Sequence, residues 1–117
     1  TCPFSGNLRE QLLIAAKNAN VAVHDGGVYA VTQGPRLESS AEVNRLRRDG
    51  AHYIGMTAMP EAALARELGI EYACLSLIVN YAAGRGEKPI HEDLEAGTKH
   101  SKMRAMAIVS TFFGTVR

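Results

Sequence analysis

Four polar residues, Glu38, Thr57, Asn80 and His91, stand just past strand-like runs or near helix starts, and each offers a different chemistry. An asparagine such as Asn80 donates and accepts at once, which suits a heteroaromatic edge carrying both a carbonyl and a ring nitrogen. It is equally an ordinary turn residue after a strand. Glu38 can accept from a ring N–H, or sit as a carboxylate near the dipole of a helix start. Thr57 comes just before a helix start, where a hydroxyl plus free helix N–H groups makes an anion site for phosphate or carboxylate. A plain N-cap is the commoner use of a threonine there. Met56 serves as core or as the wall of a sugar pocket. His91, near another helix start, is more often solvated or capping than catalytic. Brought together, these groups suit a small polar ligand with an anionic part and a planar part.

The elements that must position them follow from periodicity and punctuation. Asn7 or Ser5 caps a first helix over residues 8–18, with Leu12, Leu13 and Ala16 on one face. Residues 21–23 are a short β-prone piece, and Asp25-Gly26-Gly27 is a turn before a strand over 28–33. Gly34-Pro35 ends that strand. Ser39-x-x-Glu42 reads as a capping box opening a helix to Arg48, closed by Asp49-Gly50. A second strand covers 53–56. The next helix has Pro60 in its first turn and stops at Gly69. Residues 72–79 read as a third strand, apolar on both faces as central strands of covered sheets are. A glycine-rich loop over 82–89 leads to a helix over 91–112, with Gly97 its weak point. This order predicts a layered α/β sandwich with a mostly parallel central sheet. In such folds ligands sit beyond the carboxyl ends of the strands, which here deliver residues 34–38, Met56-Thr57 and Asn80.

Composition narrows the class. The chain has 117 residues, 46% of them hydrophobic, and a formal net charge of +1, which bounds it to about one domain. Lysines and arginines are scattered, so no basic patch argues for nucleic acid. No apolar run is long enough for a bilayer, and no secretory leader is visible, so cytoplasm is the default compartment. Cys2 and Cys74 make neither a disulfide framework nor a metal site; they read as a surface thiol and a small hydrophobe in a strand. The chain opens at Thr1-Cys2-Pro3 without an initiator Met, which suggests a fragment.

Three strings carry a resemblance: TQGPRLES (32–39), AEVNRLRRDGAHYIGMTAMPEAALARELGIEYA (41–73) and LIVNYAAG (77–84). In order and spacing they resemble the trimeric purine nucleoside phosphorylase and methylthioadenosine phosphorylase family, over nearly the whole chain. The resemblance implies that residues 1–117 are the C-terminal portion of one phosphorylase domain. It also implies phosphorolysis of a purine nucleoside to free purine and ribose 1-phosphate, with inorganic phosphate as co-substrate, no cofactor or metal, and a homotrimer when full length. The transition state would be oxocarbenium-like, so catalysis must stabilise charge on the leaving purine and hold phosphate below the sugar.

Residue by residue, the resemblance gives Asn80 the base-reading, catalytic position. Relatives that use 6-aminopurines have aspartate there and often a second acid two residues on, whereas this chain has Asn80 and Ala82. An amide N–H can donate to a 6-oxo group or to N7, and a carboxylate would repel O6. Glu38 matches the glutamate that accepts from N1–H of 6-oxopurines. Met56 matches the sugar wall, Thr57 a phosphate contact, and Tyr29 an aromatic near ribose and phosphate. Leu37 stands where the family usually stacks phenylalanine on the base. His91, in HEDL, matches a histidine that bonds the 5′-hydroxyl; a shift of one residue puts Ile90 there and favours a methylthioinosine substrate.

These matches lead to a 6-oxopurine nucleoside phosphorylase. The alternatives are a methylthioinosine or methylthioadenosine phosphorylase, or a non-catalytic purine- or phosphate-binding fragment. Family chains are about twice as long. Their N-terminal half carries a phosphate loop and an Arg-His pair not found here, so the isolated chain is expected to be inactive.

Overall fold

The computed structural model describes residues 2–87 and 90–115, without the side chains of 91–93, 95, 96 and 115. Its elements run α1 (Gly6–Asn18), β1 (Tyr29–Val31), α2 (Ser40–Arg48), β2 (Tyr53–Gly55), α3 (Glu61–Glu67) and α4 (Ile90–Thr115). Strands β1 and β2 pair in parallel, Tyr29 opposite Tyr53 and Val31 opposite Gly55. The architecture is α/β with a parallel sheet, the class the element order implied.

Local chemistry explains where the helices start. Ser5, not Asn7, caps α1: its hydroxyl accepts from the Leu8 amide at 3.1 Å. The same hydroxyl donates to Glu71 Oε1 at 2.6 Å, and Asn7 donates to that carboxylate as well. Those bonds, the Ser5 one foremost, hold Glu71 below its ordinary pKa. Ser39 and Glu42 form the expected reciprocal capping box at α2, which satisfies two backbone donors a helix start would otherwise leave open. Helix α3 begins later than its sequence suggested. Pro60 precedes it as cap rather than lying in its first turn, and no side chain caps it.

One strand expectation fails, that for 72–79, and the β-prone piece at 21–23 forms no strand either. Residues 21–23 and 72–79 run without helix, turn or bend, but neither belongs to a ladder. Apolar, β-prone side chains favour an extended backbone, yet a strand exists only when a neighbour takes its N–H and C=O groups. Neither segment has that neighbour among the described residues. Cys74 accordingly lies exposed rather than inside a sheet, its Sγ 3.2 Å from Ser76 Oγ.

The densest packing joins α1 to α4. Ala15, Ala16 and Ile108 are buried there, with Leu12, Val21, Leu75 and Phe112 against them. Helix α4 runs through Gly97 without a break. A Cβ on Gly97 would lie 2.5 Å from the Val79 carbonyl oxygen, so the missing side chain lets α4 rest directly on the backbone next to Asn80. The position read as a weak point is a contact point.

Candidate functional site

At the carboxyl end of β1 the chain folds back on itself. Thr32, one residue past the strand, donates its hydroxyl to Glu38 Oε1 at 2.6 Å. Between them lie Gly34, at φ +64°, and a Gly34–Pro35 peptide in the cis form. The positive φ suits glycine because it has no Cβ to clash. A Cβ at Gly34 would also sit 2.6 Å from Met56 Sδ, so the bare glycine is where the methionine lies down. Arg36 then grips Glu42 with both guanidinium nitrogens, at 2.8 and 2.7 Å, and fastens the loop to the first turn of α2. With the Ser39 amide also donating, this pair holds the Glu42 carboxyl well below the usual carboxylate range, and it raises Arg36 in turn.

A second group forms just beyond β2. Tyr29 leans along its strand so that its hydroxyl lies 3.1 Å from Thr57 Oγ1 and also accepts from the Thr57 amide at 3.4 Å. Gly55 makes room for it, since a Cβ there would fall 2.2 Å from the phenolic oxygen. Thr57 is not the N-cap of α3. Ala58 follows it in a left-handed backbone, φ +75°, and the helix opens only at Glu61. The expectation of helix N–H groups beside the Thr57 hydroxyl is therefore corrected: the turn carries Thr57 away from the helix and toward Tyr29.

Five of the sequence-derived residues thus gather at one sheet edge: Tyr29, Leu37, Glu38, Met56 and Thr57. Met56 is 37% exposed and Leu37 50%, so both offer apolar surface at this edge rather than serving as core. Asn80 stands apart from this hydrogen-bonded group. Its amide nitrogen donates to the adjacent Tyr81 carbonyl at 2.7 Å, a turn contact, and no hydrogen bond links it to Glu38 among the described residues. The following loop does return to the same region. Gly84 packs on Ser40, the residue after the α2 cap, and Arg85 bonds Asn44. The His91 side chain lies outside the described residues.

Sequence reasoning missed Thr32, which holds Glu38, and Arg36, which anchors the loop. A hydroxyl at a strand end six residues before a glutamate, across a Gly-Pro turn, was the available signal. Among the described residues no cluster of His, Cys, Asp and Glu could hold a metal ion, and no helix is long and apolar enough to cross a membrane.

The chain as a whole has relatives among known proteins. The chain is 59% identical, over 85 residues, to the "Probable S-methyl-5'-thioinosine phosphorylase" of Xylella fastidiosa, a match spanning 73% of this chain and 34% of that one. It is 42% identical, over 95 residues, to the 6-oxopurine nucleoside phosphorylase of Pyrococcus furiosus, spanning 80% and 36%. The chain thus spans about a third of the length of the curated relatives it matches. Among solved structures, the adenosine/methylthioadenosine phosphorylase of Schistosoma mansoni superposes with a TM-score of 0.89 at 22% identity, over 97% of this chain and 47% of that one. A methylthioadenosine phosphorylase from an antarctic soil metagenomic library superposes at 0.87 with 28% identity, over 97% and 42%. The phosphorylase superfamily profile matches residues 1–114, nearly end to end, and the chain belongs to that superfamily.

Proposed function

We propose that this chain supplies the base- and ribose-facing part of an enzyme that phosphorolyses 6-oxopurine nucleosides of the inosine and guanosine type, giving free purine and ribose 1-phosphate. The observation that carries the reading is the 2.6 Å bond from Thr32 to Glu38, which holds a carboxylate at the sheet end as an acceptor. A 6-oxopurine presents N1–H to such a carboxylate. A 6-aminopurine presents a lone pair at N1 and is repelled. Asn80, released from its turn contact, donates to O6 or N7 and stabilises the purine as it takes the electron pair of the breaking glycosidic bond. Phosphate forms the new bond to the anomeric carbon, and no further cofactor enters. The paired hydroxyls of Tyr29 and Thr57, beside Met56, are donors for ribose and phosphate oxygens. Assembly as a homotrimer belongs to the same proposal.

A second reading narrows the nucleoside to 5'-methylthioinosine. It is supported by the names of relatives at 55–60% identity, higher than the 42% of the 6-oxopurine enzyme. Both readings share a 6-oxopurine base, and they part at the 5′ group. Replacing the matching segment of the Xylella fastidiosa relative with this chain yields an enzyme to assay with inosine, guanosine, methylthioinosine and methylthioadenosine. Higher kcat/KM for the 6-oxo substrates is expected. Methylthioadenosine as the best substrate would overturn the base assignment, and the inosine to methylthioinosine ratio decides the 5′ group. The 117-residue chain alone is expected to show no phosphorolysis above background.

A further inference from the structure

Asn80 and Glu38, the two residues assigned to the purine edge, ride on different loops, and both loops are fastened to helix α2. The Glu38 loop is tied to the first turn of that helix, where Arg36 grips Glu42 and the Glu42 carboxylate also accepts from the Ser39 amide at 2.7 Å. The loop after Asn80 reaches the same helix through other residues. Arg85 donates from its guanidinium to Asn44 Oδ1. Gly84, at φ +74°, comes so close to Ser40 that a Cβ there would run into the serine hydroxyl. Ser40 and Asn44 are four residues apart in α2, so they form one row on its surface and receive the loop together. The loop itself is short and closed. The Arg85 amide donates to the Ala82 carbonyl at 3.0 Å, which makes 82–85 a turn, and Tyr81 alone separates that turn from Asn80. On the other side of Asn80, the Val79 backbone rests on Gly97 of α4. Asn80 is therefore held by α4 before it and by α2 after it.

We infer that Arg85 is a positioning residue for the base-reading pair: its bond to Asn44 docks the 82–85 turn on α2 and so sets where Asn80 stands relative to Glu38. The inference rests on the purine reading of Asn80 in the proposed function. With the clasp made, both loops take their place from the start of one helix, whose capping box already fixes that start. A donor aimed at the base contributes most as the purine leaves, when charge develops on it and a misplaced amide loses its bond. The Arg85–Asn44 bond is exposed, so its loss strands no buried polar group. A clasp that merely tidied a surface loop could be cut without consequence for the reaction. A clasp that positions Asn80 cannot.

Two changes at one position separate these roles. Asn44→Leu keeps the size of the side chain, favours the helix and deletes the acceptor, whereas Asn44→Asp keeps an acceptor in the same place. In the 117-residue chain, Asn44→Leu should move the backbone and side-chain amide resonances of Asn80 together with those of 81–85, and Asn44→Asp should leave Asn80 near its original shifts. In the Xylella fastidiosa hybrid enzyme, Asn44→Leu and Arg85→Gln should each lower kcat for inosine about fivefold with little change in KM, and Asn44→Asp should retain most of the rate. On an Asn80→Ala background the same two changes should cost nothing further, because the residue they position is gone. The inference is overturned if the Asn80 resonances ignore Asn44→Leu, if Asn80→Ala slows inosine turnover while neither clasp variant does, or if the clasp variants cost as much without Asn80 as with it. Inosine turnover untouched by Asn80→Ala would remove the base assignment and this inference with it. The resonance shifts read position without any substrate, so the two failures are told apart.

Discussion

The sheet edge around Glu38 and the segment ending at Asn80 both place polar groups beyond an apolar run, yet they reach opposite states. At the first, the groups are tied to partners within the same edge: Thr32 to Glu38, Arg36 to Glu42, Ser39 to Glu42, and Tyr29 to Thr57 across the paired strands. At the second, no backbone amide is paired among the described residues, and Asn80 turns to its own neighbour for a partner. A site closed by local bonds forms from the residues at hand.

The contrast can be broken most sharply at Asn80. In the Xylella fastidiosa hybrid enzyme, Asn80→Asp should cut kcat/KM for inosine about 100-fold relative to adenosine, since a charged acceptor would replace the amide donor proposed for O6. An unchanged ratio would remove Asn80 from base reading. The Gly97 contact should give a smaller effect, read in the thermal unfolding of the chain itself. Alanine at this helix position gains about 1 kcal/mol of propensity, but overpacking onto the Val79 backbone typically costs 1–3 kcal/mol. A net fall in Tm is expected, and a rise would show that α4 does not rest on that carbonyl.

On the closed side, Thr32→Val removes the bond that aims Glu38 and should raise KM for 6-oxopurine nucleosides about fivefold, the worth of about 1 kcal/mol. No change would mean that Glu38 is held without it. The smallest effect is electrostatic. Glu42 and Glu71 are both lowered in the folded chain, so their contributions are present above the unfolded carboxylate pKa and are lost as pH falls through the folded one. Acid titration of unfolding should therefore show stability decreasing below the ordinary carboxylate range. Glu42→Gln should flatten part of that slope, modestly because the pair is exposed.

What the sequence could reveal follows the same division. The capping box at Ser39 and Glu42, the first helix, read over 8–18 and found over 6–18, and the glycine turns were legible because each is decided within a few residues. The resemblance strings located Glu38, Met56 and Thr57 at strand ends, and the structure brings these to one edge. The relation of Thr57 to α3 was not legible. The left-handed turn at Ala58 depends on how the strand and helix meet, and it moved the hydroxyl toward Tyr29. Nor was Thr32 legible as the holder of Glu38, because its partner lies across a turn whose geometry no spacing rule specifies.

The sequence by itself determined the helices, the capping box of α2, the parallel α/β class and the residue types that can read a purine edge, since propensity, capping and hydrogen-bond chemistry are properties of short stretches. Tertiary structure alone decided that residues 72–79, apolar enough for a central strand, stay unladdered in this chain. A strand is a relation between two segments, and hydrophobicity can recommend one partner but cannot supply the other.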